Sequence, residues 1–582
     1  MLRNRLRADG KSAGGAFRGA GSREESAADA LLAGLAEAGI RWLFANAGTD
    51  FAPLLAAYVR AGKTGRRVPR PVTAAHESVA VAAAHGAHLA TGTPQAVMVH
   101  VSVGLANALS QVMNAHREDI PLLIMAGRTP FTEAGHPASR DVAIHWGQEL
   151  FDQAAALREI TRWQGQLARA DQIGDLLHRA LAVATGPDPG PVYLELPREP
   201  LADPLVESAA TPPQTRTSLT APPAPDPEAV DTILARLAAA ERPLLITQRA
   251  GRAPAAFALL ARFAEKMAIP VIEYRPNVAN LPDDHPWHAG FAPPADLAER
   301  DAILLLDCPV PWLPARHADP RGAFIAEVAP DPFYRRWPMR RFPADIRLAA
   351  GAASFLEAAL ERFDQLEPAL KASCAARGRR PPEGGSAPAK AGERAGSATN
   401  GCLDAASATR ILASVLPEDA VVFNELGALR PFLRIRRPGG FFGPPNAGAL
   451  GWAHPAALGY KLARPDAFVV ATVGDGSAIF ANPVACHQLA VSERLAVLVV
   501  VFNNRRWDSV RWAATSVHPE LAGEPGLPLV ALEPSPDFAG IARASGIAAW
   551  RAGTTDGLRT ALREAVAEIA AGRPALVEIA IA

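Results

Sequence analysis

The sequence predicts an α/β protein built of three doubly wound, parallel-sheet domains. Three observations predict it. Short apolar runs alternate with Ala-rich helical stretches, the pattern of βα units that assemble into parallel sheets. Two stretches rich in Pro, Gly and Ser or Thr divide this alternation into three blocks. Two of the apolar runs end in polar residues, Gly474-Asp475-Gly476-Ser477 and, 26 residues on, Asn503-Asn504. That pairing delivers a carboxylate and a carboxamide to the carboxyl edge of one sheet, where open α/β sheets collect ligands.

Residues 1–23 carry Arg3, Arg5, Arg7, Lys11, Arg18 and Arg23 without the apolar core of a secretory signal, and read as a flexible tail. The first domain, 24–202, has strand candidates at Ala96–Val101, Pro121–Ala126 and Pro191–Leu196. A linker, 203–225, leads to the central domain, 226–364, with strands at Pro243–Thr247, Pro270–Glu273, Ala302–Asp307 and Ala323–Val328. Residues 365–402 include Pro381-Pro382-Glu383-Gly384-Gly385-Ser386 and read as a disordered linker. The third domain, 403–582, has strands at Val421–Phe423, Phe468–Val473, Val497–Phe502 and Ala575–Ala580.

The 59 basic and 59 acidic residues balance, so the chain lacks the electrostatic footprint of a nucleic-acid binder. No run of about 18 apolar residues predicts a membrane span. Cys308, Cys374, Cys402 and Cys486 lie far apart, without zinc or redox spacing, which suits a reducing cytoplasm.

Asp475 and Asn504 offer hard oxygens of the kind that hold Mg²⁺ or Ca²⁺. Gly476 lets the backbone approach closely and present N–H groups to phosphate oxygens. This pattern resembles the diphosphate-binding signature of thiamine diphosphate enzymes of the pyruvate decarboxylase and acetolactate synthase superfamily. The resemblance implies pyrimidine-binding, central and diphosphate-binding domains in that order. It implies that Asp475, Asn504 and the Arg506 carbonyl hold Mg²⁺. Asn424, Gly474, Gly476 and Ser477 would then lie about the diphosphate.

Glu77 opens an Ala-rich helical run, and alone it reads as a first-turn acid favoured by the helix dipole. The resemblance makes it the glutamate that hydrogen-bonds the cofactor's aminopyrimidine. Phe44-Ala45-Asn46-Ala47-Gly48-Thr49-Asp50 looks like the N-terminal loop of benzoylformate decarboxylases, with Thr49 keeping a hydroxyl for the substrate carboxylate. His100, in Val99-His100-Val101-Ser102, and His285, in Asp284-His285-Pro286, match that branch's two proton-carrying histidines. Imidazole suits such a role because its ordinary pKa of about 6.5 lets it donate and accept near neutrality. Taken singly, one reads as a core histidine and the other as a loop residue.

In the third domain, Ala449 and Leu450 fall where the family supports its cofactor. Leu450 would sit beneath it, and the Ala449 carbonyl would face its amino group. Ser509, Val510 and Ala513 would line the substrate pocket together with Thr49 and Gln148. Ala513 replaces an aromatic residue of benzoylformate decarboxylases, which implies a wider pocket. The Pro/Gly-rich stretch 516–534 reads as a lid.

These likenesses imply a non-oxidative decarboxylase of a 2-oxo acid that depends on thiamine diphosphate and Mg²⁺. Two alternatives stay open. Gln148-Glu149 matches acetolactate synthases, which join two 2-oxo acids. A CoA-thioester lyase would use a nucleotide site at Arg249, Arg252 and Arg275. The Gly- and Met-rich segment near the flavin of acetolactate synthases is missing from His288–Pro294, which counts against FAD. The resemblance also implies a homodimer or homotetramer, with Glu77 and Asp475 of one site drawn from different subunits.

Overall fold

The computed structural model describes residues 25–205, 224–378 and 403–581. The tail expected at 1–23 and most of both linkers lie outside these residues. The first sheet has six parallel strands, β1 (Trp42–Ala45), β2 (Arg70–Thr73), β3 (Gln95–Val99), β4 (Leu122–Arg128), β5 (Gln164–Gln166) and β6 (Val192–Pro197), ordered β2-β1-β3-β4-β6-β5. The central sheet has five, β7 (Pro243–Thr247), β8 (Val271–Glu273), β9 (Ala302–Leu306), β10 (Phe324–Ala329) and β11 (Ile346–Ala349), ordered β11-β10-β9-β7-β8 and also parallel. The third has six, β12 (Val421–Glu425), β13 (Phe441–Phe442), β14 (Val469–Gly474), β15 (Val497–Asn503), β16 (Ala548–Ala552) and β17 (Ala575–Ala580), in the parallel order β13-β12-β14-β15-β17-β16.

Every strand expected from an apolar run is present within one or two residues. These strands are buried on both faces, as β9 and β15 are along their whole length, and so read as continuous Val/Ile/Leu runs. The strands that escaped, β1, β2, β5, β11, β13 and β16, are short or carry polar residues, and all but β1 are sheet edges. One reading needs correction. Residues placed at the start of the second linker form the helix Pro368–Gly378. It docks on the central core by burying Cys374, and the Arg377 guanidinium donates to the Ala238 and Ala240 carbonyls at 2.8 and 2.7 Å. Among the described residues no helix is long and apolar enough to cross a membrane.

Among the contacts that join the sheets, two stand out. The helix Glu77–Thr91 of the first unit crosses the helix Ala453–Ala463 of the third at a pair of glycines. A Cβ on Gly86 would overlap the Ala456 carbonyl, and a Cβ on Gly459 would overlap the Ala83 carbonyl. The second contact is the Glu118 carboxylate, which is 4% exposed. It accepts the Arg252 guanidinium and the Asn277 amide (3.0 Å) from the central unit, and the Asn446 backbone N–H (2.7 Å) and amide (2.9 Å) from the third.

A helical Gly→Ala change ordinarily stabilises by about 1 kcal/mol. Gly86→Ala is expected to reverse that sign and cost about 1–3 kcal/mol, because the backbones cannot separate without losing the crossing. Urea denaturation of the variant, with Gly62→Ala at an exposed position of the helix Ala52–Thr64 as control, checks this.

Candidate active site

Strand β14 runs directly into the short helix Asp475–Phe480, and its neighbour β15 ends at Asn503, with Gly474 opposite Phe502. Asp475 and the Asn503-Asn504 pair therefore share one sheet edge. Asp475 is 5% exposed. One of its carboxylate oxygens accepts the Gly476 N–H at 2.8 Å, and the other is buried without a partner. Burial pushes its pKa above the usual carboxylate range, while the N–H groups of Gly476, Arg505 and Arg506 oppose this. The two asparagines divide their work. Asn503 donates its amide to Glu578 and Ser535, both at 2.9 Å, and is an anchor. Asn504 accepts the Arg506 N–H at 3.0 Å and stays at the surface of the turn. The Ser477 hydroxyl is buried without a partner, and Asn424 is held by the Thr472 hydroxyl at 2.7 Å.

At the end of β12, buried Glu425 holds the Leu450 loop. Its carboxylate accepts the N–H groups of Gly451 (2.6 Å), Trp452 (2.7 Å) and Ala453 (2.8 Å), the last opening a helix. Burial raises its pKa against those donors. The far side of the loop meets the helix Val101–Arg117. Gln111 donates to the Leu450 carbonyl at 2.9 Å and Asn114 to the Ala449 carbonyl at 2.8 Å. The Ala449 carbonyl expected to face the cofactor thus already accepts one hydrogen bond.

Glu77 is the first residue of its helix and is buried. Asn107 donates to one of its oxygens at 3.1 Å. The point a Cβ of Gly104 would occupy lies 3.0 Å from the other oxygen and 3.4 Å from the His100 Cβ, so a larger residue there would press on both Glu77 and His100. His100 follows β3 and precedes Val101, whose φ of +31° is strained for a β-branched residue. Asp50, 3% exposed, secures both. One carboxylate oxygen lies 2.6 Å from His100 Nδ1, and the other accepts the Val101 N–H at 3.4 Å. The Asp50 hydrogen bond holds the His100 pKa above its ordinary value, against burial. Gln148 lies 3.2 Å from His100 Nε2, and the Thr49 hydroxyl is 3.2 Å from His145 Nε2.

The descriptions "Thiamine pyrophosphate enzyme, N-terminal TPP binding domain" and "Thiamine pyrophosphate enzyme, C-terminal TPP binding domain" match residues 25–156 and 426–579. The chain is 30% identical to the probable 2-ketoarginine decarboxylase AruI of Pseudomonas aeruginosa, over 85% of this chain and 84% of that one. The chain belongs to the thiamine pyrophosphate enzyme family. It is also 27% identical to the benzoylformate decarboxylase of the same organism, over 93% of this chain and 96% of that one. The solved 4-hydroxybenzoylformate decarboxylase of Rhodococcus jostii RHA1 shares its fold at a TM-score of 0.76 and 23% identity, covering 96% of this chain and 99% of that one.

Other residues of this thiamine pyrophosphate enzyme fall away from the cluster. His285 sits in a central-unit loop, 3.3 Å from Glu265 on the helix Pro254–Met267, with its pKa lowered by burial. Nearby Glu273, Asp283 and His288 have ligand-like spacing, but Arg430 reaches into them, 2.7 Å from Asp283 and 3.8 Å from Glu273, and offsets one of the two carboxylate charges. Arg249 and Arg252, the arginines of the nucleotide-site alternative, are paired with Asp307 and Asp119 and with Glu118, and serve domain contacts. Arg275 is exposed. Ser509, Val510 and Ala513 are exposed on the helix Asp508–Val517. The expected lid folds back on the Asn504–Arg506 turn, where Trp507 N–H donates to the Val530 carbonyl at 2.7 Å and Leu532 N–H to the Arg505 carbonyl at 2.8 Å. Sequence reasoning missed Asp50, Asn107 and His145. Two of them lie beside residues the sequence did single out, Asp50 next to Thr49 and His145 three residues before Gln148, but their partners are far off in sequence.

A raised His100 pKa adds stability that is complete below about pH 6.5 and is lost as pH rises through the folded-state value. Asp50→Asn is therefore expected to lower the His100 titration midpoint in NMR spectra and to destabilise more at pH 5.5 than at pH 9. Urea unfolding at the two pH values checks the sign.

Proposed function

We propose that this chain is a non-oxidative decarboxylase of a 2-oxo acid, dependent on thiamine diphosphate and Mg²⁺. The observation that carries this reading is the Asp50–His100 pair beside Glu77. A carboxylate that favours the protonated imidazole supplies a proton donor at the site, which a reaction that replaces CO₂ by a proton on the carbonyl carbon needs.

The residues present suit the metal and cofactor. The unpartnered oxygen of buried Asp475 is the kind of group that a bound cation satisfies. Asn504 and the Arg506 carbonyl would complete the protein's share of the ligands. The N–H groups opening the helix at Asp475, with Gly476 and Ser477, would meet diphosphate oxygens, and Asn424 borders them. Thiamine diphosphate, when bound, supplies the carbon nucleophile and electron sink for loss of CO₂. The protein's share is to hold and move protons. Glu77 would anchor the aminopyrimidine, with Asn107 fixing its carboxylate. Leu450, on a loop clamped by Glu425, would support the cofactor. Thr49 would bind the substrate carboxylate, His100 would donate the proton, and Gln148 would orient His100. Ser509, Val510 and Ala513 would line the pocket.

A second copy of the chain would complete the site. Phe480 and Val484, 54% and 64% exposed, flank the Asp475 turn, while Val103 and Met113 are exposed on the helix that carries Asn107. Apolar surface this close to polar functional groups suits a subunit interface.

The purified protein, with thiamine diphosphate and Mg²⁺, is offered pyruvate, benzoylformate, phenylpyruvate and branched 2-oxo acids singly. Aldehyde is expected in step with CO₂ from one of them. Chelation of the metal is expected to abolish it, and Glu77→Gln to lower it by about 10²–10⁴-fold. A hydroxyketone or a 2-hydroxy acid product with little aldehyde would make the chain a carboligase. Mixing Glu77→Gln with Asp475→Asn chains under subunit exchange is expected to restore activity, because a mixed dimer holds one unaltered site. Continued inactivity would mean that both residues serve within one chain.

A further inference from the structure

One histidine of the site has no part in the roles above. His145, on the short helix Ile144–Gly147, is 2% exposed, and its Nε2 lies 3.2 Å from the Thr49 hydroxyl oxygen. Its Nδ1 faces Asp141, whose backbone N–H is 3.4 Å away and whose carboxylate is 3.5 Å away. Arg198 grips that carboxylate through two nitrogens, at 3.1 and 2.9 Å, and holds its pKa low. An N–H aimed at Nδ1 asks that nitrogen for its lone pair, which puts the ring proton on Nε2. Burial lowers the His145 pKa. Asp141 opposes this, Arg198, Arg140 and His100 add to it, and these are the charged groups facing the ring. Consecutive residues of one turn, Thr49–Phe51, thus each meet an imidazole, Asp50 holding His100 and Thr49 meeting His145.

We propose that His145 is a positioning residue that makes the Thr49 hydroxyl an obligate donor to the carboxylate of a 2-oxo acid. His145 Nε2–H donates to the Thr49 oxygen, so the Thr49 O–H is free to point into the pocket toward an anion. The inference rests on the decarboxylase reading for the identity of that anion. It adds His145 to the histidines of the site.

The tautomer is read directly in the full chain, without cofactor, by long-range ¹H–¹⁵N correlation of histidine-labelled protein. Loss of one signal in His145→Gln assigns the ring. The expected result is the Nε2–H tautomer, with its Nε2 resonance shifted by Thr49→Val and restored by Thr49→Ser. An Nδ1–H tautomer overturns the proposal, because the Thr49 hydroxyl would then be spent donating to His145. In turnover of the accepted 2-oxo acid, Thr49→Val and His145→Gln are each expected to raise KM about 10- to 100-fold, the loss of one hydrogen bond to a charged group, with kcat changed far less. The double variant is expected to be no worse than either single one. Multiplying effects, or losses confined to kcat, also overturn it. Failure of every 2-oxo acid would remove the decarboxylase reading while the tautomer still decides whether His145 orients Thr49.

Discussion

One face of one helix organises the molecule. Along Val101–Arg117 and its cap, Asn107, Gln111, Asn114 and Glu118 recur at the spacing of a single helical stripe. Asn107 meets Glu77, Gln111 and Asn114 hold the Leu450 loop, and Glu118 ties the three units together. A helix rises about 1.5 Å per residue, so some 16 Å of polar contacts are set by one rigid element that starts at His100. A one-residue slip would rotate the stripe by about 100° and break all four contacts together.

Buried carboxylates carry much of this architecture. Glu118, Glu425 and Glu578 are each sequestered from water and surrounded by N–H donors from other parts of the chain. Taking such groups out of water is costly, and an incomplete set of donors would leave a buried charge unpaid. The arrangement therefore tolerates one geometry. Glu425 illustrates the result, since three consecutive N–H groups must converge on it before the Leu450 loop takes its shape.

The sequence was legible where physics acts locally. Val497–Phe502 announces a buried strand because sheets covered by helices demand unbroken apolar runs, and Asp475 and Asn504 were visible because they terminate such runs. The four-residue strand Trp42–Ala45 was hidden by its shortness and by the loop chemistry that follows it. Pairings across long stretches of chain left no local trace. Asp50 and His100 are 50 residues apart and Thr49 and His145 are 96 apart, so their contacts depend on how strands are ordered. Arg249 and Arg252 looked available for an anionic ligand because nothing in their own neighbourhood reveals Asp307, Asp119 or Glu118.

The glycine crossing makes the two outer units near-equivalent partners. In both outer sheets the strands, counted within each sheet, run second, first, third, fourth, sixth, fifth. The two crossing helices each follow the second strand of their sheet, and each presses a glycine against the other's backbone. His100 and Asp475 likewise occupy matching places, directly after the third strand. The crossing is therefore reciprocal: each outer unit offers the same place of one shared topology to the other, so a side chain added at either glycine strains both backbones alike.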